Sequence, residues 1–388
     1  MTGEAYYQRL STALVQAELH RPVLVIDRDR LDGNIELVRQ RLAPGLGLRI
    51  VDKSLSSIPL MQHILSRCDT MRIMSFHLPM TLAMLSAFPE AEVLFGKPVP
   101  IATLTSSLNH SPPEMVDDVL RRCVFLIDDM ARLEQYAALA HSSGKTIRIA
   151  FEVDVGMHRG GFETPQTLLA AVARAGEASG LRLEGVMAYE AHIPQLPRLF
   201  GGAYEQVRVE ARLNDFVAAL PPKARNIINT GGSKTALTYG NAGTITEVSM
   251  GSAFLKPTDF EIETLCSLQP AAFIATPILK VGDMRLPGPA FLTYLTQAFG
   301  SLPKKGCFLY GGKWMAEPVH PRGLQENRLW GHSSNQQMMA LPHDTDARPD
   351  DFAIFRPTQS EAVLQHFDGL YVMSGGRIEE RWPVLPAG

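Results

Sequence analysis

The sequence predicts an α/β protein: a (β/α)8 TIM-type barrel followed by a second, mostly β domain. Three observations carry that expectation. Short β-branched or apolar runs alternate with helical stretches between residues 48 and 250. The runs number eight, as many as close such a barrel. Beyond about residue 262 the texture changes to Pro- and Gly-rich pieces with short β-rich runs.

Ahead of the barrel, "RPVLVIDRDRL" (21–31) reads as a strand that joins the second domain, and "DRLDGNIELVRQRL" as a helix leading into the first barrel strand. The eight runs begin with "LRIVDK" (48–53), "MRIMSF" (71–76), "EVLFGK" (92–97) and "CVFLID" (123–128). They continue with "TIRIAFEVDVG" (146–156), "EGVMAY" (184–189), "RNIINT" (225–230) and "ITEVSM" (245–250). Helices are expected at "PLMQHILSRC", "MARLEQYAALAHSSG", "PQTLLAAVARAGEASG" and "YEQVRVEARLNDFVAAL", several of them stopped by Gly. A doubly wound sheet also alternates strand and helix, but the GxGxxG turn after its first strand is missing here. The expected division is a barrel over 32–262 and a β-rich domain made of 1–31 with 263–388. Within the latter, the long polar stretch 319–348 reads as a lid or a loose insertion.

A chain of 388 residues can bury a sizeable core, and a formal net charge of −3 gives no broad field for nucleic acid or an anionic membrane. The four cysteines form no CxxC pair, which excludes zinc-ribbon and thioredoxin readings and fits a reducing compartment. Cys123, inside "CVFLIDD", reads as a buried structural thiol. The N-terminus lacks the basic start and apolar centre of a signal peptide, and no run is long enough to span a bilayer. A soluble, cytoplasmic protein is expected.

The candidate site follows from strand ends. In such a barrel the C-terminal ends of the strands form the active face, which places Lys53, at the end of the first run, at the mouth as a nucleophilic amine. Two small-residue turns follow the seventh and eighth runs: "NTGGSKT", with Thr230, Gly231, Gly232 and Ser233, and "SMGSAF", with Gly251 and Ser252. The loops after strands 7 and 8 are where barrels hold phosphate, and small residues let backbone N–H groups approach its oxygens. A lysine and a phosphate cradle facing each other fit pyridoxal 5′-phosphate; a Schiff-base sugar-phosphate aldolase fits them as well. The fifth run ends in "FEVDVGMHRGGF", which puts Arg159 at the mouth, where it could donate to the cofactor's phenolate oxygen. Asp154 and His158 beside it read as a loop carboxylate and an exposed turn residue. The sixth ends in "MAYEAH": Tyr189 alternates with Met187 toward the interior and could meet the pyridine nitrogen, and His192 could pack beside the ring.

"VDVGMHRGGF", "AYEAH", "NTGGS" and Lys53 at a strand end, taken in order, resemble the fold-type III pyridoxal-phosphate enzymes. Within them the chain more closely resembles the D-threonine aldolase / D-serine dehydratase branch, which is related to alanine racemase. The resemblance runs from "RPVLVIDRDRLDGNI" to "LYVMSGGRIEERWPV". It implies an alanine-racemase-type barrel with a β domain and a homodimer. It also implies that Lys53 carries the Schiff base, Arg159 the cofactor oxygen, Tyr189 the ring nitrogen, and Gly231, Gly232, Ser233, Gly251 and Ser252 the phosphate. Ser249 stands where alanine racemase has an arginine, which argues against a close racemase relation.

The relatives of that branch carry a His-x-Cys metal pair near the C-terminus. Here "RPTQSEAV" puts Gln359 and Glu361 in those places, and Gln337 takes the place of a further family histidine. Glutamine is a poor transition-metal ligand, so no metal is expected. The function these readings imply is a lyase acting at the α-carbon of a D-β-hydroxy amino acid, by aldol cleavage or dehydration. An amino acid racemase and a non-catalytic pyridoxal-phosphate-binding protein are the alternatives.

Overall fold

The structure, a computed structural model, describes residues 3–196, 201–327 and 331–386, in two compact units. The chain enters through α1 (Gly3–Gln16), β1 (Val23–Asp27) and α2 (Arg28–Arg41). It then builds eight strands: β2 (Gly47–Val51), β3 (Arg72–Ser75), β4 (Glu92–Phe95), β5 (Cys123–Ile127), β6 (Ile147–Val153), β7 (Leu181–Ala188), β8 (Ile227–Thr230) and β9 (Glu247–Met250). Neighbours pair in parallel and β9 pairs with β2, which closes the barrel. Each of the eight runs read in the sequence is one of these strands.

Helices α3 (Ile58–Arg67), α4 (Leu78–Ala87), α5 (Ile101–His110), α6 (Pro113–Arg122), α7 (Met130–Ser143), α8 (Pro165–Glu177) and α9 (Gly202–Ala218) connect the strands up to β8. Local chemistry sets their ends. The Asp129 side chain accepts from the Arg132 N–H to start α7, and Gly144, at φ 64°, ends it in the left-handed conformation. Thr164 starts α8 through a reciprocal cap with Thr167.

The interior of the barrel is layered. Val51, Met74, Leu94, Val124, Leu126, Ala150, Met187 and Ile227 form an apolar middle. At the N-terminal end of the strands sits a charged plug. Arg49, fully buried, donates through Nε to Glu247 Oε1 at 2.5 Å and through Nη2 to Glu92 Oε1 at 3.2 Å. Arg148 donates to Glu92 Oε2 at 2.6 Å and to Glu184 Oε1 at 2.7 Å. Although burial opposes ionisation, these guanidinium groups hold the Glu92 and Glu184 carboxyls below the usual carboxylate range.

The barrel unit comprises Ile35–Ala253, Ile262–Ser267 and the chain from Leu385 on. The second unit comprises the chain up to Asn34 together with Phe254–Glu261 and Leu268–Val384. Its strands are β1, β10 (Ala272–Asp283), β11 (Lys305–Leu309), β12 (Ala316–His320), β13 (Gln325–Glu326), β14 (Met338–Leu341), β15 (Phe352–Pro357), β16 (Leu370–Ser374) and β17 (Arg377–Trp382). β1 lies antiparallel to β10 and parallel to β16, and Tyr6, Leu10 and Leu14 of α1 pack with Val23, Val25 and Phe273. The unit is mostly β, as expected, with two helices the sequence did not announce, α1 and α10 (Ala290–Ala298), the latter with none of its residues buried. The stretch 319–348 holds β13 and β14 rather than one long loop, and its residues 328–330 lie outside the described residues. Cys123 is buried.

Candidate active site

Lys53 sits at the C-terminal end of β2. The strand stops at Val51, two residues earlier than the sequence suggested, and Asp52–Ser54 forms a single 3-10 turn closed by the Leu55 N–H donating to Asp52 O at 2.9 Å. Lys53 is half-buried, with Nζ 4.6 Å from the Phe76 ring centroid. That ring lies over Gly96, where a Cβ would meet Phe76 Cζ at 2.4 Å, so the residue after β4 has to be small for the ring to reach the lysine.

The turns after β8 and β9 join each other and the lysine segment. Ser233 Oγ accepts from the Gly251 N–H at 3.0 Å and from the Ala253 N–H at 3.2 Å. Ser252 Oγ donates to Ser54 Oγ at 2.9 Å, next to Lys53. A Cβ on Gly251 would fall 2.9 Å from both Val51 Cβ and Val51 O. On the other side, a Cβ on Gly232 would fall 2.8 Å from Tyr189 Cε2, and the Arg159 guanidinium lies 4.9 Å from the Tyr189 ring centroid. Lys53, Ser54, Ser252, Gly251, Ser233, Gly232, Tyr189 and Arg159 thus form one connected set around the C-terminal mouth.

Three of the sequence candidates, Thr230, Gly231 and His192, make their contacts elsewhere. Thr230 follows the interior-facing Ile227 and Asn229 and points to the outer layer, where its hydroxyl donates to Glu190 Oε2 at 3.0 Å and lies 3.0 Å from the Tyr239 hydroxyl. The Gly231 N–H also donates to Glu190 Oε2, at 3.2 Å. His192 Nε2 lies 3.4 Å from Glu205 Oε1 on α9, and its Nδ1 is buried without a hydrogen-bond partner among the described residues. Asp154 accepts from the Gly156 and His158 N–H groups and from the imidazole of His158, which is exposed; both are turn residues.

The structure adds residues that the sequence did not single out. Alternation along β5 runs Val124, Leu126, Asp128, and along β6 it runs Ala150, Glu152, so both acids extend the interior rows toward the mouth. Carrying the two-residue period one step past each apolar run would have found them. Glu152 Oε1 lies 3.8 Å from Arg159 Nη2. Burial raises the pKa of the Glu152 carboxyl, the Arg159 charge opposes that rise, and Asp128 adds to it. Asp52 is fully buried and Glu190 is buried within the wall. Burial pushes the Asp52 carboxyl up to about 7.

In the second unit, Gln359 donates to Asp259 Oδ2 at 2.9 Å, and buried Gln337 accepts from the Lys313 N–H at 2.5 Å. Among the described residues no cluster of three or more His, Cys, Asp or Glu is arranged to hold a metal ion. No described helix is long and apolar enough to cross a membrane.

The donor set fits a phosphorylated aldehyde. A half-buried amine stands at one strand end, and two tight turns bring N–H groups together beside it. Ser233 Oγ already sits where two backbone N–H groups converge, a position suited to an anionic oxygen.

A closed eight-stranded parallel barrel accompanied by a separate, mostly β unit defines the fold class. The chain belongs to the alanine racemase N-terminal domain family, whose pattern it matches over residues 26–258. It is 27% identical over 243 residues to the D-threo-3-hydroxyaspartate dehydratase of Delftia sp. (strain HT23), a match that covers 60% of each protein. In three dimensions it is similar to the solved D-threo-3-hydroxyaspartate dehydratase from Delftia sp. HT23, with a TM-score of 0.75 at 17% identity over 95% of this chain and 98% of that one. D-threonine aldolase from Filomicrobium marinum gives a TM-score of 0.71 at 16% identity over 94% and 97%.

Proposed function

We propose that the protein binds pyridoxal 5′-phosphate through Lys53 and acts as a lyase on a D-β-hydroxy amino acid, by dehydration or aldol cleavage, without a metal. The observation that carries this reading is the connected set from Lys53 to Arg159 at one end of the barrel. The similarity to a dehydratase and an aldolase that act on D-β-hydroxy amino acids supports the substrate class. The resemblance seen in the sequence also supports a homodimer, which light scattering tests, and the cysteine usage supports a cytoplasmic location, which cell fractionation tests.

When bound, pyridoxal phosphate supplies an electron sink for the charge left at the α-carbon. Lys53 would hold the cofactor through its amine, and the same amine is placed to move a proton at the substrate's α-carbon. The Gly251 and Ala253 N–H groups and the Ser233, Ser252 and Ser54 hydroxyls hold the phosphate, with Ser233 Oγ yielding its two N–H donors to the anion. Gly232 lets Tyr189 close over the turn, and Glu152 holds Arg159 above the Tyr189 ring. Burial raises the pKa of the Glu152 carboxyl and Asp128 adds to that rise, which suits it to carry a proton to a departing hydroxyl.

The test is a screen of D- and L-β-hydroxy amino acids with the cofactor-loaded protein. Keto acid from a D substrate supports dehydration, and aldehyde with glycine supports aldol cleavage. An inverted amino acid alone, or a cofactor band that no amino acid alters, contradicts the lyase reading. Activity is expected to persist in a chelator; loss restored by a divalent ion would contradict the metal-free part.

A further inference from the structure

Asp52 precedes the candidate lysine and takes no part in the proposed chemistry. Its side chain is fully buried, and neither carboxylate oxygen has a hydrogen-bond partner among the described residues. An unpaired buried carboxylate is costly, and native chains rarely keep one without a use. It lies where β2 gives way to the 3-10 turn that carries Lys53. The Ser75 hydroxyl at the end of β3, itself accepting from Thr81 Oγ1 of α4 at 2.8 Å, and the Lys53 N–H are both close by. Neither makes a bond of good geometry with the carboxylate.

We propose that Asp52 is a positioning residue for Lys53: a buried, proton-linked latch whose ionised form draws on the Lys53 N–H and the Ser75 hydroxyl and sets the 3-10 turn that presents the amine. The inference rests on the cofactor reading only in giving Lys53 its role; the latch is a property of the chain itself.

The surroundings favour a single proton-linked event. The elements packed on this turn carry Arg49 and Glu247, which bond each other inside the barrel, Arg72 at the start of β3, His63 and Arg67 on α3, and His77 ahead of α4. Burial is the largest influence on Asp52 and raises its pKa to about 7; the Ser75 hydroxyl, the Lys53 N–H and the Lys53 charge pull the other way. A carboxyl raised this far adds stability that is complete below its unfolded value and is lost as pH rises through about 7. The neutral isostere in Asp52→Asn avoids that loss.

The experiment uses the full chain without cofactor. The thermal midpoints of wild type and Asp52→Asn are followed from pH 5 to pH 9, together with the rate at which a small amine-reactive reagent labels Lys53, read by peptide mass spectrometry. The expected result is a variant several degrees more stable than wild type at pH 8, with the gap closing toward pH 5. The wild-type labelling profile carries an inflection near pH 7, several-fold in rate, that Asp52→Asn lacks. Ser75→Ala, which keeps the carboxyl and removes a group that draws it down, moves that inflection to higher pH. A stability gap independent of pH overturns the proposal. So does a labelling profile that is the same in wild type and Asp52→Asn, or an inflection that stays in place in Ser75→Ala. Adding pyridoxal phosphate separates the two readings: a wild type that forms no borohydride-reducible link contradicts the cofactor assignment and leaves the latch to be judged on the cofactor-free data.

Discussion

The two ends of the barrel solve the burial of charge in opposite ways. At the N-terminal end, Arg49, Arg148, Glu92, Glu184 and Glu247 form a network in which each charge faces an opposite one, joined from the rim by Arg72 on Glu247 and Arg182 on Glu184. At the C-terminal end, Asp52, Ser56, Ser57, Asp128, Glu190 and His192 each leave a buried polar atom without a partner among the described residues. Both ends belong to the same eight strands and are separated by one apolar layer. Paired charges hold the strands together; on the proposed function, the unpaired groups at the mouth are the ones a ligand or a proton would engage.

Breaking the paired end is expected to cost the most stability. Arg49→Met leaves Glu247 buried without its main partner and is expected to destabilise the fold by about 3–5 kcal/mol in chemical denaturation. Asn229, which also donates to Glu247 Oε1 at 2.9 Å, softens but does not replace that loss. At the mouth the order reverses, with a large loss of binding for a small loss of stability. Lys53→Ala is expected to abolish borohydride-trapped cofactor while changing folding stability by less than about 1 kcal/mol, since it trims a half-buried side chain at the barrel mouth and leaves the core packing intact. A variant that traps as much as wild type would remove the contrast.

Smaller effects sharpen it. Gly251→Ala forces a Cβ to within 2.9 Å of the β2 backbone and is expected to cost about 1–3 kcal/mol and to weaken cofactor binding. Ser233→Ala strips the shared acceptor from two N–H groups; a loss of about 1 kcal/mol is expected in the cofactor-free chain, with a larger loss in phosphate affinity by titration. Smallest is the response to acid. Glu92 and Glu184 have depressed pKa values, so the stability they contribute is present above the ordinary carboxylate range and is lost as pH falls through their lowered values. Thermal midpoints of wild type and Arg148→Met should therefore converge only at strongly acidic pH; a gap that is already closed at pH 5 would contradict the pairing.

Much of this arrangement was legible in the sequence, because strands buried on both faces write short apolar runs and barrels place their chemistry just beyond them. The eight runs mark the eight strands, and the same logic led to Lys53 and to the two glycine turns. What escaped was the chemistry of single positions. Glu152 and Asp128 look like ordinary polar ends of apolar runs until the two-residue alternation is carried past them. Thr230 belongs to a promising motif, yet the same alternation turns it outward. Asp52 gives no signal at all, since an acid before a lysine reads as a surface pair, and only the packing of the 3-10 turn buries it. Helix α10, apolar yet unburied, carries no strand-like alternation and was absorbed into the β texture around it.

The most direct test of the site is to load the protein with pyridoxal phosphate, reduce it with borohydride and map the modified peptide. The expected result is a single pyridoxyl group on Lys53. A label on Lys234, in the glycine turn itself, or no label on any lysine, would contradict the assignment.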